Sequence, residues 1–346
     1  MKRERIFYLD FVRALAVFLI FLTHFNARYL YFYLTPEMPQ NAILTLNPFN
    51  IYIGNLGVAL FFIISGAALF HVYKERCEVK TFYQKRFLSL YPMFWIAYII
   101  AFLFMFFVSR QMLRPETPKV NFLLTIFGMD GYLTGVVPNF YILGEWFLGF
   151  IVILYLVFPL IRKEYLSHPV GLCIAILILY LPLACHEWLP QFPSSKILFV
   201  RLPEFLFGMV FLDKIKRVKP WMLASAVIIL ILNTILKPNL PESLQTTYVG
   251  ISFFLVLAFV SKYLDRQPVR VICGSVSKYS YAVFLTHHFI IDQICSRFPM
   301  ESLTRSARYT LFLLCLAVTA LASWLLYHLH ASVMNYLKRM FAKPTE

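Results

Sequence analysis

IFYLDFVRALAVFLIFLTHFNA, residues 6–27, decides how the rest of the chain is read. Roughly 20 apolar residues in a helix span the ~30 Å hydrocarbon core of a bilayer, and this stretch meets that length. Asp10, Arg13 and His24 interrupt it. Arg13 and His24 are eleven positions apart, close to three helical turns, so their side chains share one face about 16 Å apart along the axis. Ionisable groups at lipid depth are costly and face a bundle interior or a wet cavity. The stretch therefore reads as a membrane helix that carries a polar site.

The whole chain follows the same composition. Of 346 residues, 60% are hydrophobic and 14% charged, with a mean hydropathy of +0.70, well outside the balance of soluble domains. The formal charge of +15 is spread between apolar segments and forms no single basic stripe, which points to membrane topology and away from a nucleic-acid partner. Six cysteines show no C-x-x-C pair and no zinc-ligand spacing, so no metal is expected. The first apolar stretch is too long for a signal peptide and no A-x-A site follows it, so an uncleaved first helix is expected.

Apolar length marks ten segments: Ile6–Ala27, Ile51–Tyr73, Phe87–Ser109, Phe140–Ile161, Pro169–Glu187, Ile197–Leu212, Trp221–Leu236, Thr246–Leu264, Ser277–Ser296 and Tyr309–Met334. The expected fold class is all-α integral membrane with about ten transmembrane helices. The sixth segment is short and contains Arg201, Pro203 and Glu204, so it is expected to be broken or tilted. Placing the N-terminus inside gives cytoplasmic segments roughly 20 Lys and Arg against roughly 9 outside, which predicts both termini in the cytoplasm. Two outer loops are long, and VNFLLTIFGMDGYL (120–133) within the second reads as an interfacial or re-entrant segment. No appended soluble domain is expected.

Six strings then occur in order. Arg13 and His24 form an R-x10-H pair; NLGVALFFIISGAALF, YQKRFLSLYPMFW, EWFLGFIVILYLVFPLI, RLPEFLFGM and YSYAVFLTHHFII follow at positions 55, 83, 145, 201 and 279. Together they resemble the acyltransferase-3 family of integral-membrane acyltransferases, across nearly the whole chain. The resemblance implies one transmembrane domain over residues 1–346 in a bacterial plasma membrane. It also implies transfer of an acyl group, most often acetyl, from cytoplasmic acyl-CoA to a hydroxyl of an extracytoplasmic envelope carbohydrate or lipid-linked acceptor. It puts Arg13 and His24 at the catalytic positions.

The side-chain chemistry is compatible with that implication. An acceptor hydroxyl needs a base as it attacks, and the imidazole of His24 suits that role. Arginine's planar fork suits the phosphates of coenzyme A, so Arg13, Lys85 and Arg86 are placed along the donor path. Where the family pattern often has a second arginine three residues after the first, this chain has Ser89. Lys85 and Arg86 read equally as positive-inside anchors. Asp10 can pair with Arg13, and a structural ion pair with an interfacial His24 is the competing account of this helix.

Glu145 begins the fourth segment and is expected to orient His24 or a sugar hydroxyl, or to cap the helix. Trp146 reads as a sugar-stacking residue or an interfacial anchor. Arg201 and Glu204 can satisfy each other and are expected to line a cavity. Adjacent helical residues point about 100° apart, so only one of His287 and His288 can face a given point of the cavity, and the resemblance implies His287 as a secondary site residue. A secondary transporter or polysaccharide exporter is the alternative from another functional class; it predicts interrupted helices paired between two halves of the chain.

Overall fold

The computed structural model describes residues 5–32, 42–110 and 114–341. Residues 33–41 and 111–113 of the two expected outer loops fall outside that range. Among the described residues the chain is helical: α1 (Phe7–Phe32), α2 (Ile53–Tyr73), α3 (Val79–Ser109), α4 (Phe122–Ile126), α5 (Asp130–Leu133), α6 (Trp146–Ser167), α7 (Pro169–Cys185), α8 (Leu198–Val210), α9 (Pro220–Leu236), α10 (Glu242–Val260), α11 (Gln267–Cys295) and α12 (Arg305–Phe341). Six of these, α1, α2, α3, α6, α10 and α12, are long and apolar enough to cross a membrane. The apolar helices α7 and α9 have 17 residues each.

Two helices extend well beyond the apolar runs that announce them. α3 starts at Val79, eight residues before the expected Phe87, and α11 at Gln267, ten before Ser277. Hydropathy marks only the part of a helix that lipid covers, whereas backbone hydrogen bonding continues through polar turns. The Glu78 carboxylate accepts the Thr81 N–H at 3.0 Å and caps the start of α3. The expected break at Pro203 does not occur: α8 runs through it. Pro203 sits in the second turn, where it removes a single backbone bond. The irregularity lies at the other end, in a π-helical turn over Phe211–Ile215.

The chain divides into two compact units. The first comprises Met1–Thr81 and Phe150–Ser280, the second Phe82–Gly149 and Tyr281–Glu346. In the first unit α2 is the central helix, with 78% of its span buried against 39% for α1, and it packs on α1, α8 and α10. Small residues permit this. A Cβ on Gly66 would lie 1.9 Å from the Phe205 carbonyl oxygen, and one on Gly208 would lie 1.9 Å from that of Ile63, so α2 and α8 touch backbone to backbone. At one end of this unit Arg162 donates to the carbonyls of Tyr73 and Lys74, and Asp213 takes Lys74 at 2.7 Å and the Tyr165 hydroxyl at 3.2 Å.

The second unit has its own core, which includes Met93, Phe94, Ala97, Leu143, Leu285 and Leu326. Residues 120–133 form the short helices α4 and α5, separated by Gly128 at φ +67. Two aromatic donors on α3 hold this segment, Tyr91 reaching the carbonyl of Phe127 and Trp95 that of Ile126, and a third, Tyr98, reaches that of Phe140 further on. Leu103 and Phe107 on α3 and Leu313 and Leu321 on α12 are exposed, as residues facing hydrocarbon should be.

Candidate functional site

In the first unit α1 is unbroken past His24, so the shared face of Arg13 and His24 survives in the structure. Arg13 is half-buried and its Nη1 donates to the Ser277 hydroxyl of α11 at 3.4 Å. The expected Asp10–Arg13 pair is replaced: Asp10 is bound by Arg5, with Nε to Oδ2 at 3.2 Å. Arg5 lies just before the helix, where no apolar pattern announces it.

His24 is half-buried, and Thr23 before it packs on α2, where a Cβ added to Gly54 would approach the Thr23 hydroxyl to 2.9 Å. The next residue of α2, Asn55, lines a polar recess of about 280 Å³ with His186, Glu187, Ser194, Ser195 and Glu242. Its two carboxylates are engaged: Glu187 accepts the Ser194 N–H and hydroxyl, both at 2.7 Å, and Glu242 accepts from Asn55 at 2.8 Å. No sequence pattern marks these residues, which come from the starts of α2 and α10 and from the connection between α7 and α8 and share no motif.

Arg201 and Glu204 meet at 3.1 Å with 1% and 0% of their side chains exposed. Arg201 also donates to the Ser195 carbonyl at 3.0 Å and lies over the Phe62 ring, while Thr247 donates to Glu204 at 3.4 Å. The expected cavity lining is thus a sealed ion pair inside the core, where each charge offsets the desolvation of the other.

The second unit places the other candidates. Gly144 holds φ +84, a conformation that favours glycine, and Gly131 forms a bridge to Glu145 so close that a Cβ on Gly131 would lie 2.7 Å from the Glu145 carbonyl carbon. This clamp fixes Glu145 at the head of α6. Its Oε1 accepts the Tyr141 hydroxyl at 2.7 Å and faces His288 Nδ1 at 3.1 Å. Burial, followed by the Glu145 charge, pushes the Tyr141 hydroxyl well above its ordinary value, so it stays a donor.

Of the two neighbouring histidines, His288 is the one that meets Glu145. His287 is buried, and its Nδ1 lies 2.9 Å from the carbonyls of Val283 and Phe284, so Nδ1–H donates back into its own helix. The 100° step between neighbours separates the two imidazoles, and only packing decides which one turns to the carboxylate. Trp146 is half-buried, edge-on to Phe147. Lys85 is exposed, and Arg86 is half-buried over the Phe82 ring.

Two further features of this unit carry no sequence signature. Asp130 is 2% exposed and neither carboxylate oxygen has a hydrogen-bond partner. Its desolvation raises the pKa to about 6, opposed by the nearby Thr125 hydroxyl and then by the charge of Arg114. Ala97, Ile100, Leu143, Thr286, Phe289 and Leu326 border an apolar hollow of about 500 Å³, beside the chain positions of Glu145 and His288.

These features define a multi-pass helical membrane protein with ionisable residues held inside its helices. A family profile described as "Acyltransferase domain" matches residues 6–328, and the chain belongs to this acyltransferase family. No curated protein and no solved structure matches it.

Proposed function

We propose that this protein is a membrane O-acyltransferase, most simply an O-acetyltransferase, that moves an acyl group from cytoplasmic acyl-CoA to a hydroxyl of an extracytoplasmic carbohydrate or lipid-linked acceptor. In this reading it is one domain of about ten spans with both termini cytoplasmic, in a bacterial plasma membrane. The observation that carries the proposal is the unbroken α1, which aligns Arg13 and His24 three turns apart on one face. Arg13 lies along the donor path, and His24 accepts the proton of the acceptor hydroxyl as its oxygen attacks the thioester carbonyl. The carbon–sulfur bond breaks, the acyl ester forms and the coenzyme A thiolate leaves, taking up a proton from solvent while His24 returns to solvent the one it accepted. Glu145 holds His288 and Tyr141, and the recess at Glu187 and Glu242 offers acceptor groups for sugar hydroxyls. The apolar hollow suits the hydrocarbon part of a lipid-linked acceptor.

Membranes containing the protein, incubated with labelled acetyl-CoA and an envelope extract, test this. Labelling of the acceptor is expected with the wild type and its loss, by a factor of 100 or so, with His24→Ala. Equal labelling with both proteins removes His24 from the mechanism; substrate flux into liposomes without any acyl-CoA requirement replaces the reaction with transport.

A further inference from the structure

A recess of about 250 Å³ lies in the first unit where α1 and α11 begin and α10 ends. Ile6, Phe7 and Tyr8 form its apolar side. Lys216, Arg217, Lys262 and Arg270 face it, against the single carboxylate of Asp265, which Arg270 binds with Nη2 at 2.8 Å. Lys216 closes the π-helical turn at φ +60, a backbone conformation that lysine rarely adopts, with its N–H bound to the Phe211 carbonyl. The turn thereby presents two consecutive cations to one small space.

Beyond this recess a regular ladder of contacts joins α1 and α11 as far as Arg13. Arg270 lies over the Phe7 ring; Arg5 joins Asp10 to the Gly274 carbonyl, at 3.2 and 3.5 Å; Arg13 donates to Ser277. The rungs fall at positions 7, 10 and 13 of α1 and at 270, 274 and 277 of α11, one face of each helix, with both helices running the same way. Arg270 and Ser277 are two turns apart, about 10 Å. A cluster of cations is thus followed, about the breadth of a nucleotide further along the two helices, by Arg13, with the Asp10 carboxylate, the Gly274 carbonyl and the Ser277 hydroxyl on the same faces.

We infer that this recess is a phosphomonoester site that takes the 3′-phosphate of the coenzyme A donor, leaving the diphosphate to Arg5 and Arg13. The inference rests on the acyltransferase reading and adds to it the residues that recognise the far end of the donor. A phosphomonoester carries close to two charges at neutral pH, which several lysine and arginine side chains around a small space would balance. The polar edge of the ladder suits the amide-bearing pantetheine arm and not the acyl tails of a phospholipid, which separates the donor from an anionic lipid headgroup of the same phosphate chemistry. Lys85 and Arg86 are then anchors of α3 and not donor ligands.

The test uses the full chain in nanodiscs of phosphatidylcholine, with labelled coenzyme A and labelled 3′-dephospho-coenzyme A as probes. Wild type is expected to bind coenzyme A at least tenfold more tightly than the dephospho form. The double variant Lys216→Ala/Arg217→Ala is expected to lose that preference while binding the dephospho form as wild type does, which also reports that it is folded. Lys85→Ala/Arg86→Ala is expected to keep the preference. Equal binding of the two probes by wild type, in a protein that still transfers acetyl groups, overturns the inference and leaves the acyltransferase reading standing. Loss of preference in the Lys85/Arg86 variant alone overturns it in favour of those residues. Competition by phosphatidylglycerol, with no dependence on the 3′-phosphate, assigns the recess to lipid headgroups. If neither probe binds and no acetyl transfer occurs, both readings fall.

Discussion

Asp130→Asn should favour the folded protein more above neutral pH than in acid. The carboxylate is 2% exposed and neither oxygen has a hydrogen-bond partner, so the folded protein holds it more readily as the neutral acid. Its pKa of about 6 stands against 3.8 for the ordinary group. The folded state therefore binds the proton more tightly than the unfolded state. Stability from this group is fully present below pH 3.8, falls as pH rises through about 6, and is lost above that. The difference of about 2 units corresponds to roughly 3 kcal/mol, at ~1.4 kcal/mol per unit. Asparagine carries its own burial cost, but that cost is the same at every pH and cancels when two pH values are compared.

Thermal unfolding in detergent, followed at pH 4.5 and pH 8 for both proteins, measures this difference. The variant's advantage at pH 8 should exceed that at pH 4.5 by about 2 kcal/mol, since about 1 kcal/mol is already lost by pH 4.5; this is a few degrees in midpoint for a chain of this size. Equal shifts at the two pH values would refute the reasoning, because they would show that Asp130 finds a partner or water that the fold as described does not provide. The position has functional weight, since Asp130 directly precedes Gly131, the residue that clamps Glu145.

Three other perturbations probe the fold and the site. Gly66→Ala must displace the Phe205 carbonyl from 1.9 Å, forcing α2 and α8 apart, and should cost about 2–3 kcal/mol in detergent unfolding; a neutral result would mean the helices do not touch there. Arg201→Met leaves Glu204 buried without its ion-pair partner and should destabilise by about 3–5 kcal/mol, whereas Arg201→Met/Glu204→Leu should recover most of the loss; a double variant no better than the single would contradict a structural role for the pair. Glu145→Gln keeps the shape of the clamp but removes the charge facing His288 and Tyr141, and should lower acyl transfer about tenfold or more at unchanged protein level in membranes; full activity would exclude the carboxylate from the reaction.

The membrane class, the alignment of Arg13 with His24 and the family were all legible in the chain itself. Each rests on local spacing: apolar run length sets the spans, and helical periodicity sets the face, whatever surrounds the helix. The partners of those residues were decided by tertiary structure. Asp10 binds Arg5, and of the two histidines at 287 and 288 it is His288 that meets Glu145. Arg201 and Glu204 sealed each other in the core, and Asp130 was desolvated by a loop folding onto α3. A hydrogen bond or a buried charge depends on which helix lies a few ångströms away, and that distance is set by packing between segments far apart in the chain, such as the glycine contact of α2 with α8, not by the residues on either side.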